Sequence, residues 1–326
     1  MKKIFITGGA GYVGSVLTPY LISQGYQVTV LDLMIYGSEV LEENENLKII
    51  KGDIRDQNLL KQVLPGHDAV IHLACISNDP SFELNPKLGE SINFSAFEPL
   101  VKISKESSVN RFIYASSSSV YGIKKEQNVD ELKSLEPLTD YSKFKAKCEK
   151  ILFNFTSDNF TTVVIRPATV CGFGRRQRLD VVVNILTNLA YHKRKISVFG
   201  GEQLRPNIHI EDMARAYGVL LKANKNLVSG QIFNAGYENQ KVIELAEIVK
   251  KVIGSDVKVD IKKSDDNRSY HISSKKIKDV LKFSTKKTIE DAVKDLKNAF
   301  DENKLNNTLT NKKYFNIKMM NSINLK

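Results

Sequence analysis

The run Thr7-Gly8-Gly9-Ala10-Gly11-Tyr12-Val13-Gly14 follows directly on the short apolar segment Ile4-Phe5-Ile6, and a helical pattern begins at Val16-Leu17. Strand, glycine-rich turn and helix in that order constrain this chain more than any other feature. Glycines let the backbone turn sharply and approach a bound phosphate, and the helix presents its positive N-terminal end to the negative charge. The spacing reads as G-x-G-x-x-G from Gly9 and as G-x-x-G-x-x-G from Gly8. A second strand, Gln27-Val28-Thr29-Val30-Leu31, then ends in Asp32. A carboxylate there accepts bonds from both hydroxyls of an adenosine ribose and repels a 2′-phosphate. The context is that of a dinucleotide-binding turn that favours NAD over NADP. Gly8, Gly11, Tyr12, Val13, Gly14 and Asp32 are its cofactor-binding candidates.

Further along, β-rich runs alternate with helical periodicity, which predicts an α/β fold with a doubly wound parallel sheet. The next strands expected are Leu47–Asp53, Ala69–Ala74, Arg111–Ala115 and Thr162–Arg166, with helices over Leu59–Leu64, Pro86–Ser107 and Asp140–Phe155. Beyond about residue 170 the pattern is mixed, with helices expected near 180–192, 211–223, 241–253 and 288–303. This predicts a dinucleotide-binding domain over 1–170 and a smaller C-terminal α/β substrate lobe over 171–303, part of which returns to the first domain. Residues 304–326 are asparagine-rich, carry lysines and no acid, and are expected to form a basic, flexible tail.

Composition narrows the class of protein. The 326 residues are 42% hydrophobic, ordinary for a globular chain with a buried core. No apolar stretch is long enough to span a bilayer, and Lys2-Lys3 lead straight into a strand rather than into a signal sequence. Cys75, Cys148 and Cys171 lack metal-site spacing and fit a reducing compartment, so a cytoplasmic location without a metal is expected. The net charge of +11 raises the question of nucleic acid. Much of it lies on helix faces such as Lys143, Lys145, Lys147 and Lys150 and in the tail, which argues against a nucleic-acid partner.

The chemistry-bearing residues lie between these elements. Ala115-Ser116-Ser117-Ser118-Ser119-Val120-Tyr121-Gly122 closes one strand, and Asp140-Tyr141-Ser142-Lys143-Phe144-Lys145 opens a helix. Tyr141 and Lys145, four apart, share one helical face. A free phenol, with a pKa of about 10, is a poor base at neutral pH. A neighbouring ammonium and an oxidised nicotinamide both favour the phenolate. A serine from the strand end can bridge the tyrosine and a substrate hydroxyl. The set removes a proton from an alcohol while its carbon yields hydride. Each motif alone occurs by chance; their order after the glycine turn carries the inference.

These residues resemble the extended short-chain dehydrogenase/reductase family, specifically its NAD-dependent nucleotide-sugar epimerases and dehydratases. The resemblance runs from residue 1 to about 300 and includes Thr7–Gly14, Gly52-Asp53-Ile54, His72-Leu73-Ala74, Asn93, Ser117–Gly122, Tyr141–Lys145 and Arg166-Pro167. It implies a Rossmann-type sheet and a catalytic trio of Ser117, Tyr141 and Lys145. It also gives Asp53 the adenine, Lys145 the nicotinamide ribose, and places Ile54, Leu73, Ala74, Asn93 and Pro167 at the cofactor. In the second lobe it makes Arg205 and Arg268 the grips on a nucleotide-sugar diphosphate, as guanidinium geometry suits phosphate oxygens. Arg178 joins them as a substrate candidate, with Arg175 and Arg176 beside it. His209 is expected to be a packed structural residue. Cys171 stands where the family usually has tyrosine, so a changed pocket shape is expected.

The resemblance also bears on the reaction. Dehydratases of the family carry an Asp-Glu pair directly after the catalytic serine or threonine, where this chain has Ser118 and Ser119. A redox-neutral C4 epimerase similar to UDP-glucose 4-epimerase, acting in surface-polysaccharide precursor synthesis, is the first reading. Net oxidation or reduction at a sugar carbon is the alternative, because the segment Arg175–Asn184 looks like a branch that includes dehydrogenases of nucleotide-activated heptoses. A non-catalytic nucleotide- or RNA-binding role is more remote, since the trio is intact. A homodimer paired through the helices near 86–107 and 140–155 is implied by the same resemblance.

Overall fold

Ile4, Phe5 and Ile6 send side chains to alternate faces of one strand, and all three are fully buried. Both faces of that strand must therefore be covered, as in a parallel sheet wrapped by helices. The computed structural model describes residues 1–126, 128–263, 269–323 and 325. Its central sheet contains β1 (Lys3–Thr7), β2 (Gln27–Asp32), β3 (Leu47–Lys51), β4 (Ala69–His72), β5 (Arg111–Ala115) and β6 (Thr161–Pro167). After them come β7 (Thr169–Cys171), β8 (Lys195–Phe199) and β9 (Leu204–His209), then β10 (Gln231–Ala235), β11 (Glu238–Lys241) and β12 (Lys258–Lys262). The sheet has seven strands in the order β10-β6-β5-β4-β1-β2-β3, and every pairing in it is parallel. Strand order reverses between β1 and β4, so a crevice opens at their carboxyl ends.

The helices follow from where apolar residues recur. In the first half these are α1 (Gly14–Ser23), α2 (Gln57–Val63), α3 (Asp79–Glu83), α4 (Pro86–Glu90), α5 (Phe97–Glu106) and α6 (Asp140–Asn154). In the second half they are α7 (Val182–Lys193), α8 (Ile210–Lys222), α9 (Lys225–Val228), α10 (Val242–Ile253), α11 (Lys275–Leu281), α12 (Ile289–Asp301) and α13 (Asn316–Ser322). One face of the sheet packs Ile4, Ile6, Val28 and Val30 with Leu17 and Leu21 of α1 and Tyr217 and Leu220 of α8. The other packs Phe5, Val70 and Phe112 with Leu100 of α5 and Leu152 of α6. Each such buried side chain contributes about 1.5–3 kcal/mol. A separate core joins α7, α10 and α12 to β8 through Leu186, Ile196, Leu245, Val249 and Val293.

Two departures from the sequence reading have physical causes. The stretch Pro86–Ser107 is not one helix: a π-helical turn, Ser91–Ser95, separates α4 from α5. Pro99 has no N–H to offer the carbonyl four residues earlier, so the ladder breaks at that place. Residues beyond 200 complete the first domain, as β10 pairs with β6 and α8 packs on α1. The second departure is the C-terminal stretch, expected to be flexible. It carries a 3₁₀ turn, Lys312–Tyr314, and α13, whose Asn316 is 4% exposed and Met319 7% exposed. Weak periodicity in these residues conceals order that comes from distant partners, set out below.

Candidate active site at the switch point

A cleft of about 540 Å³ runs along the carboxyl ends of β1, β2, β4 and β5 and is roofed by the second lobe. The glycine turn forms its floor. Gly8 has φ +75°, and a Cβ there would lie 2.6 Å from the Ala74 nitrogen; at Gly14 it would lie 2.4 Å from the Gly9 oxygen. Neither backbone neighbour can give way, so these two positions require glycine. Val13, the residue before α1, makes no side-chain cap, and the first turn of α1 holds no acid. Ser15 and Val16 already donate to the Gly11 and Val13 carbonyls, which leaves the Tyr12, Val13 and Gly14 nitrogens for an anion.

Asp32 ends β2 in the same cleft. Its two oxygens accept from the Ala10 nitrogen at 3.0 Å and the Met34 nitrogen at 2.8 Å. Burial raises its pKa, opposed by those two bonds and by the charge of Arg176. Asp53 also lines the cleft, with Arg55 Nη2 donating to its Oδ2 at 2.6 Å. Burial pushes that carboxyl upward, but the bonds and charge of Arg55 outweigh it and the net shift is downward. Ile54, Leu73, Ala74 and Pro167 line the same wall. These residues fit a dinucleotide: a bare helix start for its phosphates, a carboxylate for its ribose and an apolar wall for its rings.

Helix capping sets the reactive end. Thr139 and Ser142 form a capping box at the start of α6, which fixes Tyr141 in the first turn. Tyr141 and Ser117 line the same cleft, and the serine hydroxyl is near enough to lower the pKa of the phenol. Ser117 follows β5 and caps a 3₁₀ turn over Ser118–Tyr121, its Oγ lying 2.9 Å from that of Ser119. Lys145, one turn beyond Tyr141, donates from Nζ to the Ala115 carbonyl at 2.7 Å and lies 5.8 Å from the Tyr141 ring centre. The structure thus brings Ser117, Tyr141 and Lys145 together. The Tyr141 phenol stands well above its ordinary pKa, chiefly through burial, with Cys75 and Asp79 adding to the rise. The charge of Arg178 and the nearby Ser117 hydroxyl oppose it. A positively charged ring in the cleft would act in the same lowering sense.

Beneath these groups lies a buried network that the sequence reading missed. Arg166 of β6 donates from Nε to Glu149 Oε1 at 3.0 Å and from Nη2 to Oε2 at 2.6 Å, and both residues are 2% exposed. Ser116 also donates to Glu149, and Arg166 Nη1 donates to the Tyr121 hydroxyl at 2.8 Å. Tyr121 in turn donates to Asn234 of β10 at 2.7 Å. The network ties α6 to the strand end that carries Ser117. An acid placed one helical turn beyond Lys145, with an arginine on the next strand, was the only signal for it.

Not every candidate reaches the cleft. Asn93 does not line it: its Oδ1 accepts from the Ile76 nitrogen at 2.8 Å and its Nδ2 donates to the Ile76 carbonyl at 2.9 Å. Both ends of that amide are spent bracing the loop after β4. Cys171 is fully buried in the core of the second lobe and leaves the shape of the cleft to other residues. Arg175 is exposed and pairs with Glu42 on the outer surface. Arg178 does line the cleft, held by Asp180 at 2.6 Å and donating to Ser77 at 3.3 Å. Arg205 lines it too, over the Tyr270 ring at 5.5 Å. Arg268 lies outside the described residues. His209 is 1% exposed and sits 3.0 Å from Asp295, a packed position at the start of α8.

A parallel sheet with a dinucleotide cleft at its switch point is the architecture of a Rossmann-type, nucleotide-dependent enzyme. Residues 4–236 match the model of the NAD dependent epimerase/dehydratase family, and the chain belongs to that family. It is 27% identical over 273 residues to a dTDP-glucose 4,6-dehydratase of Streptomyces niveus, covering 78% of each chain. It is equally, 27%, identical over 277 residues to a UDP-glucose 4-epimerase of Lactobacillus helveticus, covering 78% of this chain and 83% of the relative. Among solved structures, the UDP-glucose 4-epimerase of Thermotoga maritima with UDP-glucose superposes with a TM-score of 0.83 at 25% identity. That match covers 92% of this chain and 99% of the other. Both reactions of the family are thus represented among its relatives, at similar distance. Among the described residues no helix is long and apolar enough to cross a membrane.

Proposed function

We propose that this protein is a nucleotide-sugar 4-epimerase, resembling UDP-glucose 4-epimerase, that supplies precursors for surface polysaccharide. The observation that carries the reading is the convergence of Ser117, Tyr141 and Lys145 on the dinucleotide cleft, with hydroxyls rather than carboxylates at Ser118 and Ser119. NAD, when bound, supplies a hydride acceptor at the sugar carbon and the hydride that returns to its opposite face. Tyr141, as phenolate, takes the proton from the sugar hydroxyl and gives it back after the sugar has turned over. Ser117 orients that hydroxyl toward Tyr141. Lys145 and Arg178 favour the ionised phenol. Gly11, Tyr12, Val13, Asp32 and Asp53 hold the dinucleotide, while Arg178, Arg205 and Arg268 hold the sugar diphosphate.

No carboxylate directly follows Ser117, so the acid–base pair that expels water in a dehydratase has no counterpart there. As a homodimer, the protein would pair through α4–α5 and α6, which sedimentation would report. The deciding experiment incubates the protein with a panel of nucleotide sugars and resolves products by chromatography with mass detection. An epimer of unchanged mass is expected. Loss of water, or steady accumulation of NADH with loss of two hydrogens, overturns the reading. Tyr141→Phe should lower turnover by about 10²–10⁴-fold while bound NAD stays at the wild-type level.

A further inference from the structure

Arg176 is 4% exposed and lines the dinucleotide cleft, and although Asp32 and Asp180 lie near enough to feel its charge, neither is bonded to it. Its Nη2 donates to the neutral Asn316 Oδ1 at 2.6 Å, and its guanidinium lies 3.5 Å over the ring of Tyr36. Among the described residues it forms no ion pair, whereas Arg178, two positions on, is bound to Asp180. Asp32 is near enough to feel its charge, yet both Asp32 oxygens are turned to backbone N–H groups. Burial pushes the guanidinium below its usual pKa. A buried cation without a counter-ion is costly unless an anion joins it.

The location says which anion. The Arg176 backbone nitrogen donates to Ser15 Oγ at 3.2 Å, in the first turn of α1. That helix start is the uncapped one behind the glycine turn. The Arg176 backbone thus sits at the helix start while its guanidinium, not bonded to a carboxylate, reaches over Tyr36 in the same cleft. A diphosphate satisfies both at once.

The C-terminal segment completes the arrangement. Asn316 opens α13 with its own nitrogen donating to Asp180 Oδ2 at 2.7 Å and its Nδ2 donating to Ser77 Oγ at 3.0 Å. Tyr36 donates to the same Oδ1 that receives Arg176, at 3.0 Å. One amide thus binds the loop after β2, the loop after β4 and the segment before α7. Beyond it, Met320 and Leu325 line the cleft. We propose that Arg176, a cofactor-binding residue contributed by the second lobe, is the counter-ion of the NAD diphosphate, and that α13, with Leu325 beyond it, straps the cofactor into the cleft by holding Arg176 in place. This rests on the NAD dependence of the family and is indifferent to which sugar reaction the protein performs.

The test compares NAD with adenosine, which lacks the diphosphate, by titration calorimetry on the full chain freed of nucleotide. Arg176→Gln removes the charge; Asn316→Asp instead places a carboxylate against it and neutralises it internally. Both variants should bind NAD at least tenfold more weakly, about 30-fold for Arg176→Gln, with adenosine affinity changed by less than about threefold. The Asn316→Asp melting temperature should hold or rise, because a buried cation gains a partner. That result also separates a binding role from a structural one if Arg176→Gln fails to fold. A loss of NAD affinity below tenfold in Asn316→Asp, or one shared equally by adenosine, overturns the proposal.

Discussion

The floor and the roof of the cleft are built by different means. The floor consists of strand ends, the glycine turn and the start of α6, positions fixed by local rules such as positive φ at Gly8 and the capping box at Thr139. Behind it stands a charged network that is fully enclosed, Arg166 with Glu149. The roof has little local definition. Asn316 acquires its place from residues 140 and 239 positions away in sequence, Arg176 and Ser77. The difference teaches that the floor is shaped before any ligand arrives, whereas the roof depends on a few polar contacts, each worth about 1 kcal/mol.

That contrast can be broken by measurement. The largest effect is expected for Glu149→Ala, which leaves Arg166 charged and buried beneath the serines. Denaturant unfolding should show a loss of about 3–5 kcal/mol, and a loss under about 1 kcal/mol would mean that the floor is not braced as described. Acid should also attack the floor. His72 is buried beside Thr7 and its pKa is pushed down to about 3, by burial first and then by Lys145. Below about pH 6.5 the unfolded chain takes up a proton there that the fold refuses. The stability is complete above that pH and falls as pH drops toward 3, by about 1.4 kcal/mol per unit for this one group. Unfolding curves across this range should flatten in His72→Gln.

The roof should respond more weakly. Asn316→Ala strips partners from Arg176 and Ser77, at about 1–2 kcal/mol by thermal unfolding. A cost equal to that of Glu149→Ala would erase the distinction between the two walls. The smallest effect belongs to the rim, where Arg175 and Glu42 are both exposed. Arg175→Gln should change stability by under about 0.5 kcal/mol and, at high salt, by nothing measurable.

The same division decides what could be read from the sequence. Gly8, Asp32, Tyr141 and Lys145 were legible because each answers to a spacing rule that operates within one strand–turn–helix unit or one helix turn. Ser117 was found through the resemblance rather than through geometry. The seven-stranded parallel sheet followed from alternating periodicities, although nothing local marked Gln231–Ala235 as its edge strand. Asn93 was placed at the cofactor by analogy, and only coordinates show that its amide is used up on Ile76. The stretch after residue 304 read as flexible because an asparagine's value lies in partners far away, which no window of periodicity contains. Glu149 was passed over for the opposite reason: on a helix rich in lysine it reads as one more solvated charge.

The return of β10 to the edge of β6 has a consequence for how this protein is made. A ribosome delivers Thr161–Pro167 well before Gln231–Ala235, and α7, β8 and β9 of the second lobe emerge in between. Throughout that interval the nascent sheet has an unpaired hydrogen-bonding edge, a template for pairing with other chains. Slow stretches of translation between these two strands would lengthen the exposure, and chaperone dependence should concentrate there.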